Sequence, residues 1–546
     1  MDPRTHANRS IAVALLLGAA LAAAAPRTAP AAPRAVPAAP RAVGGEAAQS
    51  PSELDLLLAR ARAASGWEAF AKSGGALTCS GSARLFGCEA TVTAILAADG
   101  RYLSRVDGPL TQRQGWDGAT AWGSDLTGLA TELRLGGREH LLLELALMTG
   151  GWCRPDGTAV ATGITKADAT TTTVALRARD GILVVELDVD AGSALPRTLR
   201  WHVAGALETW TLSDWREAAG LRLPGRFEID DDGQRTWWTF EEATAGAAPE
   251  AAFALPAARP SDFSFDAGAP AALACRRAPA GHLIVKGEID GEPVEGIVFD
   301  SGAAFGCIDP QFAESLALEP VGEILVGGAG AQRHRSRFWR GTSLTLGPVT
   351  IESPHFLELE LDGFAPAFGP GVKAIVGWEV LQRSVARVDM TDAEIELFDP
   401  ATFDAAGIAW RELVLHDNHP LVRCTFAHDG EQEGWFRLDT GAPGIAAIFH
   451  SPTVTRLELA ASEVPLPLAA LGGAGGAARA RVRTLDWFEL GGVPFHDTVV
   501  LLSEDSRGAF ADPWCEGTLG GDLMGRFDLV FDYPRGRLGF VPRAGE

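Results

Sequence analysis

Two short stretches of the chain place an aspartate directly after an apolar run and directly before a hydroxyl residue and a glycine. The first contains Asp300, Ser301 and Gly302, and the second, 139 residues further on, contains Asp439, Thr440 and Gly441. Two carboxylates at hydrogen-bond distance share one proton, because like charges so close together do not both ionise. Such a pair can take a proton from water while it gives another to an oxygen atom. We therefore interpret Asp300 and Asp439 as a candidate acid–base pair.

Further landmarks repeat around these two stretches. Five segments recur in the same order at separations of 137 to 145 residues: His282–Lys286 with His419–Arg423, Gly327–Gly330 with Gly472–Gly475, Leu346–Val349 with Leu490–Val493, Ile375–Gly377 with Thr518–Gly520, and Val388–Asp389 with Phe531–Asp532. An ordered set of this kind indicates a duplicated structural unit. Either Asp-x-Gly triplet alone would be typical of an ordinary turn, and the repeat is what favours a pair.

The repeated order of motifs resembles one lobe of a retropepsin-like aspartic protease, present twice within residues 279–546. The resemblance implies two β-barrel lobes that form a pseudo-dimer, with one aspartate from each lobe. It implies an aspartic-type endopeptidase in which Asp300 and Asp439 activate a water that attacks the peptide bond. A single lobe would have to dimerise, whereas two lobes on one chain complete the pair internally, so we expect a monomer that binds a peptide or protein in extended form.

The residues next to the aspartates are suited to hold the two loops together. Ser301 and Thr440 can hydrogen-bond across the interface between the lobes, and Gly302 and Gly441 let the backbone approach the pair without a Cβ atom. Two glycine clusters are expected to form flap tips that close over a substrate, although they could also be plain surface hairpins. The flap residues are Gly327, Gly328 and Gly330 in the first lobe and Gly472, Gly473 and Gly475 in the second.

The N-terminal half shows a helix signal followed by short β-rich runs. Ser52 is a suitable N-cap for a helix over 52–62, and candidate strands lie at 90–96, 171–176 and 182–189. The segments Gln114–Trp122, Gly220–Pro224 and Ala252–Pro256 are similar to segments of the outer-membrane lipoprotein-sorting fold. That resemblance implies a curved antiparallel half-barrel over a helix, with a lipid or another apolar ligand in its cavity. The alternative is a sheet packed on its own helix with no ligand.

The net charge and the first residues of the chain predict its binding partners and its location in the cell. The formal net charge is −23, with 70 acidic and 47 basic residues, so nucleic acid is not an expected partner. Residues 1–25 have a basic start, an apolar core and a small-residue exit, which is typical of a signal peptide; a membrane anchor is the alternative. We expect an exported protein, periplasmic or extracellular, with no transmembrane span after cleavage.

These observations predict a mainly β protein with six segments. They are a signal peptide (1–25), an Ala/Pro-rich linker (26–50), a lipoprotein-sorting-like β domain (51–256), a second linker (257–278) and two protease-like lobes (279–405 and 406–546). Short helices are expected near 310–316 and 377–382.

Cysteines and histidines give little sign of a cofactor. Of seven cysteines, Cys79 and Cys88 are the best candidates for a disulfide, and Cys307 and Cys424 are expected to be buried free thiols. No metal-ligand spacing or phosphate-binding loop occurs, so we expect neither a metal nor a cofactor. Two other functions stay open: a catalytically silent module that binds peptides or envelope components, and a precursor whose N-terminal domain acts as a propeptide.

Overall fold

The computed structural model describes residues 51–257, 262–330, 332–462, 464–473 and 475–543. The predicted signal peptide and first linker lie outside these residues. Strands dominate the described chain, which confirms the mainly β prediction. No helix in these ranges is both long and apolar enough to cross a bilayer.

The N-terminal domain is built on one antiparallel sheet of thirteen strands. Their order across the sheet is β6-β5-β4-β3-β2-β1-β15-β14-β11-β10-β9-β8-β7, and β12 and β13 form a separate hairpin. The strands are β1 (Ala76–Leu85), β2 (Cys88–Ala97), β3 (Tyr102–Asp107), β4 (Gln112–Trp116), β5 (Ala121–Ser124), β6 (Ala130–Glu132), β7 (Ala159–Ala167), β8 (Thr171–Ala178), β9 (Val185–Asp190), β10 (Pro196–Val203), β11 (Ala206–Ser213), β12 (Arg216–Ala218), β13 (Leu221–Leu223), β14 (Arg226–Asp231) and β15 (Gln234–Gly246).

Three helices pack on this sheet: α1 (Glu53–Ser65), α2 (Trp67–Ser73) and α3 (Leu135–Thr149). Helix α1 begins as expected, with Ser52 and Asp55 forming a reciprocal capping box. Helix α3 is almost entirely buried between Leu141 and Thr149 and belongs to the same core as the sheet. The sheet is therefore packed on its own helices.

The first lobe follows with eleven strands in one sheet. They are β16 (Phe263–Phe265), β17 (Cys275–Arg277), β18 (Leu283–Ile289), β19 (Glu292–Phe299), β20 (Gly306–Ile308), β21 (Glu319–Val326), β22 (His334–Arg340), β23 (Ser343–Leu346), β24 (Val349–Glu352), β25 (His355–Glu358) and β26 (Ala374–Val376). The first two lie inside the segment predicted as a linker, where they pair with β24 and β18. Short helices α4 (Pro310–Ser315), α5 (Ala365–Phe368) and α6 (Trp378–Leu381) complete this lobe, and α4 and α6 lie where helices were predicted.

The second lobe repeats this plan, and strands from both lobes form a shared sheet. Its helices are α7 (Ser451–Arg456) and α8 (Gly521–Met524), and the remaining strands are β27 (Val385–Asp389), β28 (Glu394–Phe398), β29 (Ala409–His416), β30 (His419–Ala427), β31 (Glu431–Leu438), β32 (Ala447–Phe449), β33 (Leu468–Gly473), β34 (Gly476–Leu490), β35 (Val493–Ser503), β36 (Gly517–Leu519), β37 (Phe527–Asp532) and β38 (Arg537–Pro542). The first-lobe strand β27 pairs with β37 of the second lobe. One hydrophobic core runs through both lobes, so they are joined by backbone pairing and by apolar burial.

The cysteines correct one expectation. All seven are free thiols. Cys79 lies opposite Ala94 on β2, whereas Cys88 lies opposite Leu85 near the hairpin turn, so the strand register keeps the two apart and the predicted disulfide is wrong. Cys307 and Cys424 are buried free thiols, as predicted.

Candidate active site

The two aspartates stand at the same place in the two lobes. Strand β19 ends at Phe299 and runs parallel to β26, and the N–H of Asp300 donates to the carbonyl of Val376 at 2.9 Å. In the second lobe β31 runs parallel to β36, and the N–H of Asp439 donates to Leu519 at 3.0 Å. Each carboxylate therefore leaves the end of a buried strand that a second, parallel strand holds in place.

Reciprocal hydrogen bonds join the loops that follow the aspartates. The N–H of Ser301 donates to Oγ1 of Thr440 at 2.8 Å, and the N–H of Thr440 donates to Oγ of Ser301 at 3.1 Å. The two hydroxyls in turn donate across the interface to the carbonyls of Leu438 and Phe299, at 3.0 and 3.3 Å. All four bonds are buried and link one lobe to the other, so they fix the position of one loop relative to its counterpart.

Each glycine of the pair of loops faces the aspartate of the opposite lobe. A Cβ atom on Gly302 would lie 2.5 Å from Oδ1 of Asp439, and one on Gly441 would clash with the carboxylate of Asp300. Oδ1 of Asp300 accepts hydrogen bonds from the N–H groups of Gly302 and Gly441, at 2.8 and 3.0 Å. The sequence-predicted residues Asp300, Gly302, Asp439 and Gly441 thus form one compact group at the lobe interface.

The two carboxyl groups differ in their surroundings. Asp300 is 2% exposed and Asp439 is fully buried. The carboxyl of Asp439 lies beside that of Asp300 and the N–H of Gly441, but neither of its oxygens meets a donor in good hydrogen-bond geometry among the described residues. Burial raises the pKa of Asp300 to about 6, partly offset by the two glycine N–H donors. Burial and the nearby charge of Asp300 raise the pKa of Asp439 well above its usual value. The pair therefore holds a proton at a pH where an exposed aspartate would have lost it.

The glycine clusters lie at the tips of two hairpins that touch each other. The first tip joins β21 to β22 and the second joins β33 to β34. The N–H of Gln332 donates to the carbonyl of Gly475 at 3.1 Å, and Gly330 lies against the same carbonyl. Ala329 belongs to a buried cluster with Leu471 and with Ala442, three residues after Asp439. The two tips are thus closed together beside the aspartate pair.

Three neighbours of the pair could not be read as site residues from the sequence. Nε2 of His282 lies 3.1 Å from the carbonyl of Gly441, and burial lowers the pKa of His282 to about 4, so the ring is a neutral support for that loop. The buried hydroxyl of Tyr533 has no hydrogen-bond partner among the described residues. Its pKa is raised, mainly by burial and also by the charges of Asp300 and Asp439. Of these residues, His282 had one signal in the sequence, because it recurs as His419 in the second copy of the repeat.

The third neighbour, Arg437, belongs to a buried polar cluster below the second loop. Its Nη2 lies 3.2 Å from Oδ2 of Asp512, and Nε2 of His416 lies 3.4 Å from the same oxygen. Burial alone would raise the pKa of Asp512, but the positive charges of His416 and Arg437 hold it well below its usual value. His450 and Cys515 place a nitrogen and a sulfur beside Asp512 at metal-ligand spacing, but the Arg437 cation already balances the charge of that carboxylate. We interpret this cluster as an ion-pair network that supports the strand before Asp439.

The N-terminal domain contacts the hairpin of the first flap. The N–H of Glu323 on β21 donates to the carbonyl of Phe86, at 2.9 Å. Arg333, just past the flap tip, forms an ion pair with Asp231 of β14. The N–H of Ala509 donates to the carbonyl of Gly328 at the first hairpin tip, at 3.0 Å, and further along the same segment the indole of Trp514 donates to Glu139 of α3 at 2.9 Å. The domain therefore lies against the hairpin of β21 and β22 and against the segment around Trp514.

Comparison with known proteins supports the resemblance seen in the repeat. Residues 285–380 match the family model described as aspartyl protease. No curated protein matches the chain in sequence. A crystal structure of a DUF1329 family protein from Desulfovibrio piger aligns over 35% of this chain and 90% of that one, with 11% identity and a TM-score of 0.25.

Proposed function

We propose that this protein is an aspartic-type endopeptidase that hydrolyses peptide bonds with a water activated between Asp300 and Asp439. The observation that carries the proposal is the meeting of the two Asp-Ser/Thr-Gly loops, one from each lobe, at the ends of equivalent parallel-paired strands. The aspartyl protease match over residues 285–380 supports the same reading.

The chemistry follows from the asymmetry of the pair. Asp300 accepts two N–H bonds, which stabilise its charged form. The oxygens of Asp439 meet no donor in good hydrogen-bond geometry in the described chain, and beside the Asp300 carboxylate this residue gains by keeping a proton. The ionised carboxylate accepts a proton from the attacking water, and the protonated one donates to the carbonyl oxygen of the peptide. Attack by the water oxygen gives a tetrahedral gem-diol. As the C–N bond breaks, the carboxyl that took the water's proton gives it to the leaving nitrogen, and the other carboxylate takes a proton back from a hydroxyl of the gem-diol, so the pair is unchanged after one turnover.

A substrate must enter between the flap tips and the aspartates. In the closed arrangement both carboxyl groups are almost completely shielded, so hydrolysis requires the tips to separate and close again over an extended peptide. Strand edges in the flap hairpins offer main-chain hydrogen-bonding groups to such a peptide.

The test is digestion of an unfolded protein by the purified chain across acid to alkaline pH, followed by mass spectrometry of the products. Asp439→Asn and Asp300→Asn should each lower the rate by at least about 100-fold. Asp429→Asn, at an aspartate 94% exposed in the same lobe, is the matched control and should keep full activity. Full activity in either site variant would overturn the proposal.

The closed flap tips and shielded carboxylates favour one second candidate, a protease-like module that binds peptides without cleaving them. The same digestion separates the two functions. Intact peptide recovered after long incubation, together with saturable peptide binding measured by calorimetry, would favour the module.

We also propose that the chain is exported to the periplasm or the cell exterior. The charge and apolar pattern of residues 1–25 supports this location. The N-terminal residue of the mature protein, determined by mass spectrometry from fractionated cells, should lie shortly after residue 25.

A further inference from the structure

A cavity of about 360 Å³ lies in the N-terminal domain, away from the aspartate pair. Its walls are helix α2, helix α3, the turn at 98–100 and the loop at 154–158. All residues that line it belong to this domain, so the two lobes contribute nothing to it. Whatever the cavity binds is therefore separate from the proposed hydrolysis.

Arg154 is the most unusual residue of the cavity wall. Its guanidinium lies 4.2 Å from the centre of the Trp67 ring, and its buried Nε has no hydrogen-bond partner among the described residues. The closest carboxylate, Asp156, is 3.9 Å away with a side chain 81% exposed to solvent. The guanidinium is therefore held against the Trp67 ring with a distant, exposed carboxylate as its ion-pair partner, and an anion in the cavity would supply a closer one.

Two more guanidinium groups line the same cavity and are held mainly by neutral acceptors. Arg179 donates to the carbonyls of Gly157 and Pro155 at 2.7 and 2.6 Å. Arg138 donates to the carbonyl of Arg179 at 3.2 Å, and its closest carboxylate is 4.0 Å away on Asp180, which is 79% exposed. Carbonyl groups fix the orientation of a guanidinium but do not cancel its charge.

Acidic groups neutralise this wall only in part, because the carboxylates of Asp156 and Asp180 lie 3.9 and 4.0 Å from their arginines and are mostly exposed. Besides Asp156, Asp99 is the only carboxylate among the described residues that line the cavity, and it is paired with Arg101 at 2.7 Å. The cavity therefore carries excess positive charge in a chain whose formal net charge is −23. Such a local reversal of sign attracts anions.

The remaining wall is apolar. Leu142 and Leu145 of α3 form a buried surface, and the rings of Trp67 and Trp116 stand at the sides. Guanidinium groups beside indole rings and leucines suit a ligand with an acidic group at one end and an apolar body at the other. The volume is at the lower end of the roughly 300–1,000 Å³ typical of small-molecule sites. A cavity of this size is too small for a lipid with two acyl chains.

We propose that this cavity binds a small organic anion, a carboxylate or phosphate attached to a single apolar chain or ring, with Arg138, Arg154 and Arg179 holding the acidic group. The apolar part lies against Trp116 and the leucines of α3.

The test uses isothermal titration calorimetry of the full chain with decyl phosphate below its micelle concentration. We expect one molecule to bind per chain. Decyltrimethylammonium, which has the same chain and the opposite charge, should not bind, and inorganic phosphate should bind at least about tenfold more weakly because it lacks the apolar contacts. Equal binding of the cationic amphiphile would overturn the proposal, as would inorganic phosphate binding as tightly as decyl phosphate.

Variants assign the binding to the cavity. Arg154→Met and Arg138→Met keep much of the side-chain volume and should each weaken decyl phosphate binding by about tenfold or more. Arg197→Met, at an arginine 55% exposed outside the cavity, should bind like the original chain. The site is refuted if Arg154→Met and Arg138→Met, with unchanged Tm, bind as tightly as the original chain. Should Arg154→Met fail to fold, Arg138→Met, whose side chain is 28% exposed, decides the matter.

Two further measurements separate this site from other sources of binding. Asp439→Asn should bind decyl phosphate normally, whether or not the chain hydrolyses peptides. Sedimentation with phosphatidylglycerol vesicles should leave the protein in the supernatant. Pelleting with these vesicles, combined with no binding of soluble decyl phosphate, would replace the cavity by a membrane-surface interaction.

Discussion

Arg333 and Asp231 form a buried ion pair that joins the first flap to the N-terminal domain. Nη2 of the arginine lies 2.8 Å from Oδ2 of the aspartate, and the two side chains are only 4% and 5% exposed. Arg333 also donates to the carbonyl of Leu325 on the other arm of the flap hairpin. One guanidinium therefore ties together both arms of the flap and a strand of another domain.

Replacing Asp231 with Asn should loosen the flap. Loss of one partner leaves the Arg333 charge buried and unpaired, which typically costs about 3–5 kcal/mol. The backbone of residues 320–340 should then exchange its amide hydrogens faster, as measured by hydrogen–deuterium exchange and mass spectrometry. Asp230→Asn is the matched control, because that neighbouring aspartate pairs with Arg235 at the surface. Equal exchange in the two variants would show that the ion pair does not hold the flap.

The pH profile of hydrolysis should have its maximum near neutral pH. Burial raises the pKa of Asp300 to about 6, and burial with the nearby charge of Asp300 raises the pKa of Asp439 well above its usual value. The pair therefore carries two protons at low pH and one proton above about pH 6. The singly protonated form is the active one, and kcat/KM should rise through about pH 6 and fall only where the remaining proton is lost. These values belong to the pair and not to either residue alone. A maximum in strongly acidic solution, with a steady decline towards neutral pH, would contradict this prediction.

Asp439→Asn should stabilise the fold at neutral and alkaline pH. A carboxyl whose pKa is raised by folding binds its proton more tightly in the folded chain, so its contribution to stability is present at low pH and is lost as pH rises through the raised pKa. An amide carries no charge and avoids this loss. Tm measured by calorimetry should exceed that of the original chain at alkaline pH, and the difference should shrink in acid. Asp429→Asn, at an exposed aspartate, should show no such pH-dependent gain.

Removing the hydroxyl of Ser301 should weaken the hydrogen-bonded interface between the lobes. Ser301→Ala leaves the buried N–H of Thr440 and the carbonyl of Leu438 without their partner, which should lower the free energy of unfolding by about 1–3 kcal/mol. Thr440→Ser keeps the hydroxyl and is the conservative control. Urea denaturation measures the difference from the original chain, and a Ser301→Ala variant as stable as the original chain would refute this role for the hydroxyl.

Gly441→Ala should abolish hydrolysis, because its new methyl group would meet the carboxylate of Asp300 in the other lobe. The backbone at Gly441 is not left-handed, so the effect would report this contact and not backbone strain. Gly363→Ala in the first lobe is the control, since nothing lies within 4 Å of a Cβ at that position. Peptide turnover should be lost in the first variant and kept in the second; activity in both would mean that the loops are not packed this closely during catalysis.

The local pattern predicted some elements well and failed for one major helix. Helix α1 was predictable because Ser52 caps it and polar residues follow on one face. Helix α3 gave no such signal, since Arg134 provides no side-chain cap, two glycines fall in the first turn, and the rest is apolar on nearly every side. A helix buried on all sides lacks the amphipathic period on which sequence reading relies.

The sequence by itself determined the duplication, the two aspartates and their hydroxyl and glycine neighbours, because a repeated order of motifs is visible without knowledge of any contact. Only the tertiary structure decided what surrounds them. His282, Tyr533 and Asp231 are distant in sequence from the atoms they influence, and the Cys79 and Cys88 thiols are kept apart by a strand register. Such relations depend on how strands pair and pack across domains, and the local order of residues does not specify that pairing.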